Sequence, residues 1–325
     1  MMEDDVFAAA VAELARAAEQ YRDSLSADRQ KAQDYYAGVM TDLPHRKGWS
    51  QAVSKDVHAT ICKTLPSVMR TFFGGEILAE YQPAEQDDTD RAQQITEYIN
   101  MVVVPEAHAE VAVQDAIEDA LKQRNGILKA WFDKRRRVAV SDHTGLDEAK
   151  LAELVQGDDV EVLNAEQKPD DLGPTYDVRI KRVTDKGRIA VAAVPPEEFL
   201  IHPDALCIED SLLVGQWRRV PRSDLVAMGY EREQVYALAA NATSASVDGE
   251  KIGRRPDHDM SGSNRGGDRA NELVDYYELY VRLDHDDDGI AELRRCCFAG
   301  GFAVANMLEN EYADEDDIPY YDVVS

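Results

Sequence analysis

The densest potential chemistry in this 325-residue chain lies in nine consecutive residues, Asp284-His285-Asp286-Asp287-Asp288-Gly289-Ile290-Ala291-Glu292. Oxygen donors at positions one, three and five, a glycine at six and an acid at nine follow the spacing of a calcium loop. The glycine permits the sharp turn that lets the carboxylates converge. Asp284, Asp286, Asp288 and Glu292 are therefore the candidate metal ligands, and calcium the candidate ion. Two features depart from the helix-flanked form of such loops. Arg295 stands where a bidentate Glu belongs at position twelve, and the flanks read as strands rather than helices. Two readings stay open: a calcium site on a β-hairpin, and a solvated acidic turn.

Other acidic runs, Asp87, Asp88 and Asp90, and Asp314 to Asp317, have the residue types that hold Mg²⁺ for phosphodiester cleavage. Such runs are usually solvated faces. They define an alternative function, a metal-dependent nucleic-acid-processing enzyme; a calcium-binding adhesion module is a third, weaker one. The seven histidines show no triad-like spacing to Ser, Cys or Asp. Neither GxxxxGK[ST] nor GxGxxG occurs, so nucleotide binding has no warrant in the sequence. Basic residues gather at Lys134-Arg135-Arg136-Arg137 and at Arg218-Arg219 with Arg222. In an acidic protein these islands suit acidic patches on another subunit, giving steering and register. Non-specific phosphate contact is the rival, but no aromatic residues that could stack on bases are interleaved. Arg135, Arg136, Arg137, Arg218 and Arg219 are the candidate subunit contacts. Cys62, Cys207, Cys296 and Cys297 have no CxxC spacing, and buried free thiols are expected.

The balance of 63 acidic against 36 basic residues, a formal charge of −27, opposes any grip on DNA by phosphate neutralisation. A surface of this sign repels nucleic acid. Hydrophobic residues at 44% and charged residues at 30% place the chain among soluble globular proteins. No apolar run approaches the ~18 to 20 residues of a membrane span, and the acidic start, Met1 to Asp5, lacks the features of a secretory signal. A cytoplasmic site of synthesis is expected.

Several elements must position these residues. Phe7, Val11, Leu14, Ala18, Tyr21 and Leu25 form a heptad seam, which predicts an amphipathic helix against a neighbour. A second helix, capped by Ser50, runs through Val53, Val57, Ile61, Leu65, Val68 and Phe72 to Gly74-Gly75, with Pro66 expected to kink or divide it. A strand is expected over Ile77 to Gln82, then helices over Thr89 to Val104 and Pro105 to Gln123, ended by Asn125-Gly126. Ile127 to Phe132 reads as a buried strand and Leu146 to Val155 as a helix. Tyr176 to Lys181 alternates as a half-buried strand and pairs through Asp185-Lys186-Gly187 with Ile189 to Val194 in a hairpin, until Pro195-Pro196 stops it. Ser211 to Val220 is a strand; Ser223 to Met228 and Glu231 to Ala239 are short helices. Val274 to Leu283 and Ile290 to Phe298 form a second hairpin around the acidic turn. Tyr320 to Ser325 reads as the start of a strand, as if the chain were cut in mid-domain. The fold class is α+β. The organisation is a helical region over 1–80, an α+β body over 81–240, a mobile or partner-dependent loop over 241–272, rich in Ser, Gly, Asn, Asp and Arg, and a hairpin region over 273–325.

An ordered series of blocks carries a family resemblance. It runs from Ser54-Lys55-Asp56-Val57 through Thr64-Leu65-Pro66-Ser67-Val68-Met69-Arg70 and Phe72-Phe73-Gly74-Gly75 to Ala116 to Gly126, followed by Ile127-Leu128-Lys129-Ala130-Trp131. Asp158 to Leu163, Val194-Pro195-Pro196-Glu197-Glu198-Phe199-Leu200-Ile201, Ser223 to Tyr230 and Asp284 to Glu292 complete it. In this series the chain resembles the N-terminal part of a podovirus-type tailed-phage portal protein. The resemblance implies a wing-like outer body of a ring subunit, with twelve subunits at one capsid vertex of the virion, assembled in the bacterial host cytoplasm. It implies partnership with scaffolding, coat, terminase and tail or head-completion proteins. It further implies passage of double-stranded DNA without specific binding, no membrane, no catalytic reaction and no required cofactor.

Overall fold

The computed structural model describes residues 2–324 except 41, 43, 45–46, 49, 51, 76, 84–87, 134–135, 158–159, 171–172, 186, 239–253 and 255–267. Among the described residues are helices and antiparallel sheets, an α+β fold. The expected loop over 241–272 falls mainly outside them, apart from Arg254 and the 3₁₀ turn Arg269–Asn271. Two compact units divide the chain, Met1–Trp131 with Ala190–Ser325, and Phe132–Ile189.

The larger unit begins with helices α1 (Asp4–Ser24) and α2 (Ser26–Ala37). Phe7, Ala8, Val11, Ala15 and Ala18 of α1 recur at helical spacing and are buried, the stripe that faces a core. Most of these residues are alanines, so the helix backbone can lie close to its partner. That partner is a sheet: the stripe packs with Leu200, Leu213, Trp217, Tyr277, Leu279, Val281, Cys296 and Phe298. Tyr21, a seam position, is 39% exposed, so the heptad spacing reports only half of the packed face.

Helix α3 (Asp56–Phe73) starts at Asp56, and Ser50 instead accepts a hydrogen bond from the Ala52 N–H. It runs through Pro66 without dividing, because one undonated N–H removes only one rung of the ladder. Helix α4 (Thr89–Tyr98) passes into a π-helical turn, Ile99–Val103, and a short helix α5 (Val104–Glu106). The expected helix from Pro105 is interrupted by His108 at φ 50°, and α6 begins at Ala109 and ends at Gln123. The expected strand over Ile77 to Gln82 is absent. This segment lies along α4: Asn100 Oδ1 accepts from the Leu78 N–H at 2.6 Å, its amide donates to the Ala79 carbonyl at 2.8 Å, and Thr96 Oγ1 accepts from Tyr81 N–H at 2.9 Å. Side chains satisfy the backbone that a sheet would otherwise have to satisfy.

Arg124, at φ 77°, takes the left-handed position after α6. The glycine of Asn125-Gly126 serves a different need, since a Cβ on Gly126 would sit 2.2 Å from the Ala116 carbonyl oxygen. Strand β1 (Gly126–Asp133) follows.

The smaller unit holds β2 (Arg136–Leu146), helix α7 (Glu148–Val155), β3 (Val160–Asp170) and β4 (Gly173–Asp185). Their strand order is β2-β4-β3, antiparallel throughout. Val178 and Ile180 of β4 are buried while Arg179 between them is exposed, the alternation of a half-buried strand. Both edges of β4 are occupied, so the hairpin expected between it and β5 (Arg188–Val194) does not form. Strand β5 has the mostly apolar sequence of a buried strand and joins the order β11-β1-β5, with β11 at Tyr320–Val324.

Strands β6 (Phe199–Ile201), β7 (Leu213–Pro221), β8 (Leu273–Leu283), β9 (Glu292–Ala299) and β10 (Met307–Tyr312) build an antiparallel sheet in the order β10-β9-β8-β7-β6. Strand β8 is buried on both faces. Tyr277, Leu279 and Val281 meet α1, whereas Val274, Tyr276 and Tyr280 point to two further cores. One of those lies against helices α8 (Arg222–Ala227) and α9 (Arg232–Ala237), the other against β1 and β11. The expected hairpin around the acidic turn is present as β8–β9, registered to Leu283↔Glu292.

Candidate functional site

The acidic turn closes the β8–β9 hairpin, and the register delivers Asp284 and Glu292 to its two sides. The Asp284 carboxylate organises the chain that follows. Its Oδ1 accepts from the N–H groups of Asp287 (2.7 Å) and Asp288 (3.2 Å), and its Oδ2 from Gly289 (2.9 Å). Asp286 accepts from Asp288 N–H at 3.2 Å, and Asp288 from Ile290 N–H at 2.7 Å. Asp287 at φ 69° and Gly289 at φ 90° make the reversal. Glu292 folds back to accept from His285 N–H at 2.8 Å.

One oxygen from each of Asp284, Asp286, Asp288 and Glu292 lies within 4.8 Å of the others. Desolvation and the neighbouring Asp288 and Glu292 carboxylates push the Asp286 carboxyl above its ordinary range. The His285 N–H holds Glu292 below its own. The set is oxygen-only, as a hard divalent cation requires. His285 turns away from it, its ring edge-on to Phe7 at 5.5 Å and its carbonyl accepting from Met2 N–H at 2.6 Å. Arg295, at position twelve, bonds Glu309 at 2.9 Å and Glu278 at 3.4 Å instead.

Among the described residues, no other group of three or more His, Cys, Asp or Glu converges this way. Asp88 and Asp90 begin α4, where carboxylates offset the helix dipole; Asp87 lies outside the described residues. Asp314 and Asp317 form a capping box around the 3₁₀ turn Glu315–Asp317, and Glu315 bonds Arg282 at 3.1 Å.

Of the basic islands, Arg135 lies outside the described residues, and Arg136 and Arg137 are placed by backbone in β2 opposite Asp185 and Thr184. Arg218 is half-buried on β7, 5.6 Å over the Tyr276 ring. Arg219 meets Asp275 at 3.3 Å, and Arg222 donates to the carbonyls of Val235 (2.6 Å) and Leu238 (2.9 Å) at the end of α9. The second island is therefore engaged within its own chain. Of the cysteines, Cys296 and Cys297 are buried, but Cys62 and Cys207 are exposed, since α3 and the loop after β6 turn those positions outward.

Sequence reasoning missed a charged cluster behind the sheet. Lys129 of β1 pairs with Glu278 of β8, and Arg295 bridges Glu278 to Glu309 of β10. Burial alone would raise the Glu278 carboxyl, but Lys129 and Arg295 outweigh it and hold the group below its ordinary value. The signal was present: Glu278 is a charge inside an otherwise apolar run, Tyr276 to Val281, and buried charges are paired.

A family model described as "Phage SU10 portal protein" matches residues 7–325. The chain belongs to this portal family. The match spans α1 to β11 and takes in both units. No curated protein matches. As a phage portal protein the chain is of a structural family, a virion component whose relatives assemble as rings with other phage proteins. In this portal chain no described helix is long and apolar enough to cross a membrane.

Proposed function

We propose that the protein is a ring-forming structural subunit of the portal vertex, the conduit for genome packaging and ejection. In this reading twelve copies close the ring, and the assembled surface docks terminase, scaffolding, coat and tail or head-completion proteins. Subunits are made and assembled in the host cytoplasm. The subunit performs no reaction of its own and requires no cofactor. The observation that carries the reading is the continuous family match over residues 7–325. The net charge of −27 supports a surface along which DNA passes without being held. Arg135, Arg136, Arg137, Arg218 and Arg219 are proposed as contacts to acidic patches on the next copy, giving steering and register. Native mass spectrometry of the full-length protein tests the proposal. Masses of a closed oligomer are expected, and monomers alone would count against it.

The convergence of four carboxylate oxygens within 4.8 Å favours calcium as a ligand of the Asp284 to Glu292 turn. Here the ion would be structural, fixing the hairpin end. Titration calorimetry with Ca²⁺ checks this: heat is expected from the native protein and not from Asp288→Asn, and equal traces would remove the site. Mg²⁺- or Mn²⁺-dependent DNA cleavage lost in Asp288→Ala or Asp88→Ala would instead establish the nucleic-acid-processing alternative.

A further inference from the structure

Asp119 and Glu197 are acids with almost no access to water, 5% and 1% exposed. They come from separate elements, Asp119 from α6 and Glu197 from the turn between β5 and β6. Ionised carboxylates cannot remain in such places without a partner. The partner is Arg254, which falls 16 residues after Leu238 and 14 before Asp268.

Its guanidinium reaches both acids at once. Nη1 donates to Asp119 Oδ1 at 2.6 Å, and Nε and Nη2 donate to the two oxygens of Glu197 at 3.0 Å each. Nη2 also reaches Gln123 Oε1 at 3.5 Å. Contact with both Glu197 oxygens is the fork-on-fork geometry that a planar guanidinium makes and an ammonium does not. Three side chains from two elements thus converge on one flat cation.

We propose that Asp119, Gln123 and Glu197 form a guanidinium-binding site, filled in this chain by its own Arg254, and that this contact clasps α6 to the β5–β6 turn. The site discriminates by shape as well as charge: a lysine would neutralise one carboxylate and leave the fork unmade. The clasp is independent of the ring reading, because every group in it belongs to one chain.

Thermal melting of the full-length protein at pH 8 tests it. Arg254→Ala should melt roughly 4 to 7 °C lower, the effect of stranding buried charges in a chain of this size. Arg254→Lys should fall between the two. Millimolar methylguanidinium should raise the melting temperature of Arg254→Ala in a dose-dependent way. It should leave both the native protein and the triple variant Arg254→Ala/Asp119→Asn/Glu197→Gln unmoved. A melting temperature of Arg254→Ala within about 1 °C of native, or equal response of all three proteins to methylguanidinium, would overturn the proposal. Should Arg254→Ala yield no folded protein, the triple variant decides. Recovery of folding supports the site, since removing both acids removes the need for the cation, and continued failure refutes it.

Discussion

Replacing Phe7 with alanine tests how the N-terminal helix is held. The Phe7 side chain is 0% exposed and fills the core between α1 and the inner face of the five-stranded sheet. Its ring meets the edge of His285 at 5.5 Å and lies 5.8 Å from the Arg294 guanidinium. Truncation would remove a fully buried aromatic ring and leave a cavity that β7, β8 and β9 cannot collapse into, because their other face is also packed. Such truncations cost about 3 to 5 kcal/mol, or roughly 4 to 7 °C in melting temperature for a chain of this length. Tyr21 is the control. It shares the heptad seam with Phe7 but is 39% exposed, and Tyr21→Ala should cost about 1 kcal/mol or less. Urea denaturation followed by far-ultraviolet circular dichroism measures both. Equal losses would show that the helix packs along its heptad seam and refute the sheet-packed account.

Three further outcomes follow from the same structure. Gly126→Ala should destabilise by about 1 to 3 kcal/mol in the same denaturation assay, because the new methyl would meet the Ala116 carbonyl oxygen at 2.2 Å; a neutral result would contradict that close approach. Burial, partly offset by Arg254 and reinforced by Glu197, pushes the Asp119 carboxyl up to about 6, with Lys122 also facing it. A carboxyl raised on folding gives stability that is full below its unfolded value and lost as pH rises through the folded one. The melting temperature of the native protein minus that of Asp119→Asn should therefore fall between pH 4 and pH 7, and a flat difference would refute the assignment. Glu278→Gln should destabilise more than Glu309→Gln, because Glu278 neutralises both Lys129 and Arg295 in the interior; the reverse order in thermal melts would show that the cluster is centred elsewhere.

What the sequence made legible was local. The acidic turn could be read because all four carboxylates fall within nine residues and the largely apolar β8 leads into them. Helix α1 was legible from its spacing, but its partner was not, since the strands it covers lie some two hundred residues further on. Strands β2 and β3 carry Ser141, Asp142 and His143, or Asn164, Glu166 and Gln167, and so little apolar alternation that no period announced them. The β4–β5 hairpin was misjudged because a turn signal reveals a reversal of the chain, not which edge each strand will use. Ile77 to Gln82 has a strand's composition, yet Asn100 and Thr96 claim its backbone first. Arg254 could not be assigned at all: it lies in a polar stretch, and its carboxylate partners are 135 and 57 residues away.

Electron microscopy of the purified full-length protein tests the central claim most directly. Membership of the portal family, shown by the match over residues 7–325, predicts class averages with cyclic symmetry around an open central channel. Particles that remain single subunits at every protein concentration, in the presence and absence of Ca²⁺, would contradict it.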